Sequence, residues 1–264
     1  MARAGEPLAR PATDADLANP LAAIDPDGWL GGSIAGRRVL CLAAGGGRQS
    51  VLAAAAGAEV TVVDTSGEML AADRRVAAER GLRVATFQAS MTDLSMLPAA
   101  GFDAVLQPVS TCYVPDVGAV YRQVARVLRA GGVYVSQHKT PTSLQASTRP
   151  RGGRYTLDEP YYRDGPLPPA PGDDRTTRRL REAGAAEFLH RWEELIGGLC
   201  RAGFVVEDLL EPSHALPPKN TSDNLPDAAA GSFARRARYV TPYVRIKARR
   251  LGDAETATRI ELPP

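Results

Sequence analysis

"CLAAGGGRQS", Cys41 to Ser50, decides how the rest of the chain is read. It follows the apolar "RRVL" of residues 37–40 and runs into "VLAAAA". Three consecutive glycines carry a large backbone-entropy cost inside an element, so they belong where the chain turns sharply and lets a ligand approach. A short apolar run passing through glycines into an alanine-rich stretch reads as a buried strand followed by a helix that Gly57 closes.

The same rhythm continues outward. "AEVTVVD" is a second strand, and Thr65 or Ser66 caps the helix "SGEMLAADRRVAAER" that follows. "LRVATFQA" and "FDAVLQPV" are the third and fourth strands. In "VPDVGAVYRQVARVLRAGG" the residues Val117, Val120, Tyr121, Val124, Val127 and Leu128 recur at helical spacing, with Gly131 and Gly132 as the stop and "VYVSQH" as strand five. Order lapses over residues 139–186, rich in Pro, Gly, Arg and Tyr, an interruption too long for an ordinary connection. A helix over "EFLHRWEELIGGLCRAG", a sixth strand "FVVEDLLE" and a seventh in "YVTPYVRIKAR" complete the pattern. Alternating strands and helices predict an α/β fold built on a parallel sheet. Residues 1–36 read as an N-terminal cap segment with one short helix near Leu17–Ala23, and residues 37–264 as a single domain carrying the insertion 139–186.

Composition narrows the function classes. The 264 residues are 44% apolar with a formal net charge of +2, enough for a full core and too little charge to indicate a nucleic-acid or membrane partner. Cys41, Cys112 and Cys200 are odd in number and widely spaced, which fits reduced thiols in the cytoplasm and gives no metal-ligand spacing. The first twenty residues lack a signal-peptide core, and no stretch has the length of a membrane span.

Gly45-x-Gly47 after a strand is a nucleotide-site signal, and Asp64 stands nineteen positions later, where a carboxylate can accept both ribose hydroxyls. Spacing alone leaves a nicotinamide cofactor and S-adenosylmethionine (SAM) both open. There is no Walker lysine, and Ser50 occupies the third fingerprint position. "VARVLRAGGVYV" resembles the helix–double-glycine–strand signature of class I SAM-dependent methyltransferases, and the late seventh strand is similar to their antiparallel last strand. The resemblance spans about residues 37–138 and 187–250 and is nearest to the small-molecule branch of ubiquinone- and menaquinone-type enzymes. It implies a Rossmann-like, seven-stranded, mainly parallel sheet with an inserted lid.

It further implies that SAM lies against Ala44, Gly45, Gly46, Gly47 and Gln49, then Asp64, Thr65 and Met69, then Ser90 and Met91, and Gln107. Three positions depart from the family pattern: Cys41 and the alanines replace the acid at the start of the first motif, Ser90 replaces the acid near the adenine, and Ala130 replaces a proline. In-line methyl transfer requires a positioned acceptor, exclusion of water and sometimes a base. His138, ending strand five, is the first candidate base, and His190, read as the first turn of the next helix, the second; His214 is not assigned a role. Tyr113, Tyr161 and Tyr162 are candidate walls of the acceptor pocket, and Arg149, Arg151 and Arg154 candidate anion contacts, all under a lid formed by 139–186. The expected partner is a small-molecule acceptor. The alternatives are a non-catalytic SAM-binding protein, a nucleic-acid methyltransferase, which "QPVST" disfavours by lacking an (N/D)PP(Y/F/W) motif, and a nicotinamide oxidoreductase.

Overall fold

Runs of branched and apolar residues produce strands that are buried at the centre of one sheet and largely exposed at its two edges in the computed structural model, which describes residues 11–212, 229 and 231–252. The strands are β1 (Arg38–Leu42), β2 (Glu59–Asp64), β3 (Ala85–Gln88), β4 (Phe102–Gln107), β5 (Leu128–Lys139), β6 (Phe204–Leu210) and β7 (Tyr243–Arg250). They form one sheet in the order β3-β2-β1-β4-β5-β7-β6. β7 alone runs antiparallel to its neighbours, pairing Lys139 with Tyr243 on one side and Phe204 with Arg250 on the other. The alternation in β7 buries Val244, Ile246 and Ala248 completely. Its basic residues turn the other way, and Lys247 and Arg249 both meet Glu207 while Arg245 meets Asp27.

Both faces of the sheet are covered. Leu40, Leu42, Val105 and Tyr134 pack against α5 (Val117–Val127) and α8 (Gly198–Arg201), where Val120, Val124 and Leu199 are fully buried. Val39, Cys41, Val62, Leu106 and Val135 pack against Ala53 of α3 (Gln49–Ala55), Leu70 of α4 (Gly67–Glu79) and the chain around Trp29 and Ile34. Strand order reverses between β1 and β4, which opens a crevice at the carboxyl ends of those strands. Gly45, Asp64, Ser90, Gln107 and His138 all belong to that edge.

Several local expectations are corrected. The N-terminal segment holds two short helices, α1 (Asp14–Ala18) and α2 (Pro20–Ile24), because Asn19 caps α2 and Pro20 sits in its first turn. α5 stops at Val127, short of the double glycine. Leu128 turns extended, and β5 absorbs Gly131 (φ +73°) in an irregularity opposite Phe102–Ala104. The helix after the insertion starts at Trp192, so Phe188 and His190 precede it. Glu187 and Phe188 are held outside the helix: the Leu167 N–H donates to the Glu187 carbonyl and the Phe188 N–H to that of Cys112. From Glu193 to Gly197 this helix is a π-helix running directly into α8. Gly198 permits close contact there, since a Cβ would lie 3.2 Å from the Tyr121 ring.

The insertion has its own structure. It contains α6 (Pro141–Gln145), capped by Thr140, and α7 (Arg175–Leu180), capped by Asp174. Leu144 and Leu167 pack with Leu189, while Leu180 packs with Phe233 of α9 (Phe233–Ala237) and Tyr243. Arg236 of α9 is buried and donates to the Ser143, Ala146 and Ser147 carbonyls and to the Ser143 hydroxyl, tying the start of the insertion to the helix that precedes β7.

Candidate active site

The glycine segment is shaped by what lies beneath it. Ala43 and Gly47 have left-handed backbone (φ 48° and +81°), and Gly46 has φ +118°. A Cβ on Gly45 would fall 2.7 Å from the Met69 Cβ and 2.9 Å from the Asp64 Oδ2, so only glycine allows this approach. Asp64, ending β2, receives the Gly45 N–H at 3.0 Å and the Ser66 N–H at 2.9 Å. Those bonds orient the carboxylate, and its remaining lone pairs suit a ribose diol. The half-exposed carboxylate and the Cβ-free loop fit SAM. Thr65 is exposed and its carbonyl accepts from Gln88, Gln49 is half-buried at the start of α3, and Ala44 is buried. The N-terminal segment borders the same loop: the Ala12 N–H donates to the Gly47 carbonyl, and Arg48 forms two bonds with Asp16.

Sequence reasoning missed Asp73. This α4 carboxylate is fully buried and accepts from the Gly46 N–H (2.9 Å), the Gly47 N–H (3.0 Å) and the Ser50 hydroxyl. Burial raises its pKa above the ordinary carboxylate value, against the pull of those three donors. The signal was its place in the apolar stripe Met69–Leu70–Asp73–Val76–Ala77.

Beyond β3, the Ser90 hydroxyl is engaged with that of Thr92, and Met91 is buried with its sulfur accepting from Gln107 Nε2 at 3.3 Å. Gln107 is turned inward, contrary to its expected contact with the cofactor. Its amide donates to the Ser110 hydroxyl, its carbonyl accepts from the Tyr134 hydroxyl, and it is 2% exposed.

The two candidate bases also lie elsewhere than expected. His138 is 1% exposed, with Nδ1 bonded to the Thr111 hydroxyl and Nε2 to the Ser136 hydroxyl, both at 2.8 Å. Burial, helped by nearby His190, lowers its pKa to about 3. A ring enclosed by Tyr121 and two hydroxyls presents no free lone pair to an acceptor. His190, expected in the first turn of the next helix, is buried ahead of it, and its Nε2 donates to the Thr111 carbonyl at 2.9 Å. Burial lowers its pKa as well. Together the two imidazoles pin the Thr111–Tyr113 turn after β4. His214 lies outside the described residues.

Beside the Thr111–Tyr113 turn, the Tyr113 hydroxyl donates to Glu182 of the insertion at 2.5 Å, and burial pushes its pKa up. Cys112 is buried and its thiol is pushed up to about 11, chiefly by burial. Glu187, fully buried, binds Lys139 at the start of the insertion and Arg181 near its end. The Tyr161 hydroxyl accepts the Trp192 N–H at 3.2 Å, which docks the insertion on the following helix. Tyr162 is 80% exposed beside Arg191, so it lines no enclosed wall. Arg149 and Arg151 are paired with Asp174 and Asp158, which removes much of the cationic character expected of the insertion. Among the described residues, no three acidic, His or Cys groups converge as a metal site, and no helix is long and apolar enough to cross a membrane.

Comparison with known proteins agrees with this geometry. Residues 40–136 match the family model described as a methyltransferase domain. A Bacillus subtilis protein named as the uncharacterised methyltransferase YbaJ is 35% identical over 189 residues, 70% of this chain and 72% of that protein. A ubiquinone biosynthesis O-methyltransferase of Xanthomonas axonopodis is 38% identical over 112 residues, which is 42% of this chain and 47% of the relative. Among solved structures, a SAM-dependent methyltransferase of Mesorhizobium loti superposes with a TM-score of 0.63 at 25% identity, covering 88% of this chain and all of that one. With the glycine loop, the ribose-type acid and the antiparallel seventh strand in place, the chain belongs to the class I SAM-dependent methyltransferases.

Proposed function

We propose that this methyltransferase acts on a small molecule held between the strand edge and the 139–186 insertion, by in-line displacement at the methyl-bearing sulfonium. The observation that carries the reading is the insertion itself. It is fastened across the carboxyl ends of β4 and β5 by Glu187 to Lys139, by Glu182 to Tyr113 and by the Phe188 N–H to the Cys112 carbonyl. A cover docked on that edge opposes access by a polymer and favours a compact acceptor. The paired β7 basic face likewise offers no free track for a phosphate backbone.

In this reading Gly45–Gly47, with Ala44 and Gln49 flanking, receive the amino-acid portion of SAM. Asp64 accepts the ribose hydroxyls, and Met69, Ser90 and Met91 border the adenine. Bound SAM supplies an electrophilic methyl group, and the departing thioether needs no protonation. The chain's contribution is then orientation and exclusion of water. Tyr113 and Tyr161 hold the cover in place. With His138 and His190 both committed to Thr111, no general base is assigned to either.

The test pairs two measurements. Calorimetry should show SAM binding and no binding of NADH, and labelled SAM should transfer its methyl group to members of a small-acceptor panel. Methylation of tRNA or DNA, with salt-dependent affinity, and no transfer to any small acceptor would overturn the reading.

A further inference from the structure

The chain lacks an acid at the end of β1, where Cys41 stands, yet its glycine loop is organised around a carboxylate. We infer that Asp73 is a positioning residue for SAM binding, replacing from α4 the acid that β1 does not supply; this rests on the glycine loop being the SAM site.

The argument is geometric. Met69, Asp73 and Val76 are spaced four and three residues apart, so they form one stripe along α4. The loop lies along that stripe. A Cβ on Gly45 would meet Met69 at 2.7 Å and one on Gly47 would meet Val76 at 3.0 Å, while Gly46 and Gly47 donate to Asp73 between them. Both loop amides therefore point down into the protein, which fixes the upper surface that SAM would meet. Ser50 adds a third donor from the first turn of α3 and joins the loop to its helix through the same carboxylate.

Among the described residues, no cation is paired with Asp73; its recorded partners are two amides and a hydroxyl. A buried carboxylate without a cation is an expensive way to stabilise a fold. Its partners explain its presence: each belongs to the segment Gly46–Ser50, and none belongs to the sheet.

The test uses the full chain and D73N, which preserves shape while placing an NH₂ against a loop N–H. SAM affinity should fall at least tenfold by calorimetry, with the kinetic effect on KM for SAM far larger than on kcat. Hydrogen exchange at the Gly46 and Gly47 amides should accelerate tenfold or more. Unchanged affinity with only a lower Tm would make Asp73 structural and overturn the inference. D64A is the control: if it weakens SAM binding and D73N does not, only the Asp73 inference fails. If neither does, the loop is not the SAM site. Should D73N not fold, Ser50→Ala decides the matter, with a threefold or larger loss of affinity expected and unchanged affinity refuting the inference.

Discussion

Acidification should destabilise this protein through His138. The native ring is 1% exposed, satisfied by the hydroxyls of Thr111 and Ser136 and edge-on to Tyr121 at 6.3 Å. Its pKa is lowered to about 3 because burial removes the water that would solvate an imidazolium. An unfolded chain titrates near ~6.5. The folded value lies below the unfolded one, so the stabilisation is complete above ~6.5 and is lost as pH falls toward the folded value. At pH 5 the difference amounts to ~1.5 units, or ~2 kcal/mol, a sizeable share of a typical total of about 5–15 kcal/mol. Urea melts at pH 7, 6 and 5 on the wild type and on His138→Gln measure it directly. His190 is shifted in the same direction and shares Thr111 with His138, so His190→Gln and the double variant complete a cycle that separates the two. The wild type should lose ~2 kcal/mol more than the variant between pH 7 and 5. Parallel profiles would show that His138 titrates like a solvated histidine. A fall in turnover of about 10²–10⁴-fold in the variant, at unchanged stability and SAM affinity, would restore it as a base.

Three further outcomes are expected. Asp64→Ala should weaken SAM binding tenfold or more in calorimetry, since a hydrogen bond to a charged group contributes about 1.5–3 kcal/mol. Gly45→Ala should abolish measurable SAM binding and cost about 1–3 kcal/mol in a denaturant melt, because its Cβ would lie 2.7 Å from that of Met69. Glu187→Ala leaves Lys139 and Arg181 buried without their anion, so stability should fall by about 3–5 kcal/mol; limited proteolysis should cut first within 139–186, and cleavage elsewhere would refute the anchoring role.

The sheet was legible because each of its signals is local. Apolar runs of four to six residues named β1 to β4, Ser66 was readable as the cap of α4, and the spacing of Val117, Val120, Tyr121 and Val124 showed the buried face of α5. Errors arose where long-range contacts overrode local pattern. Phe188 has helical spacing with Trp192 and Leu195, yet the chain before Trp192 forms no helix because Glu187 and Phe188 bond to Leu167 and Cys112. "LRAGG" reads as the end of a helix, but Asp103 binds Arg129 at 2.6 Å and draws that stretch into the sheet edge.

The candidate site divides along the same line. Gly45–Gly47 and Asp64 were legible as a tight turn and the carboxylate beside it, because that turn admits no Cβ and Asp64 accepts the Gly45 N–H at the end of β2. Two other acids were not, although each organises part of the same edge. Asp73 looks like an ordinary helical charge in "AADRR", and only its phase with Met69 and Val76 marks it as buried. Glu187 carries no local signature, since its partners Lys139 and Arg181 lie 48 and 6 residues away. Both acids are fully buried, and both bind segments that flank the crevice: Asp73 the loop on the cofactor side, Glu187 the two ends of the insertion. Buried charge is a poor source of stability but a stringent source of geometry, because few arrangements satisfy it. In the proposed function, alignment of donor and acceptor needs that stringency at the glycine loop and at the insertion, and Asp73 and Glu187, the two described acids with no exposed surface, stand at those two places.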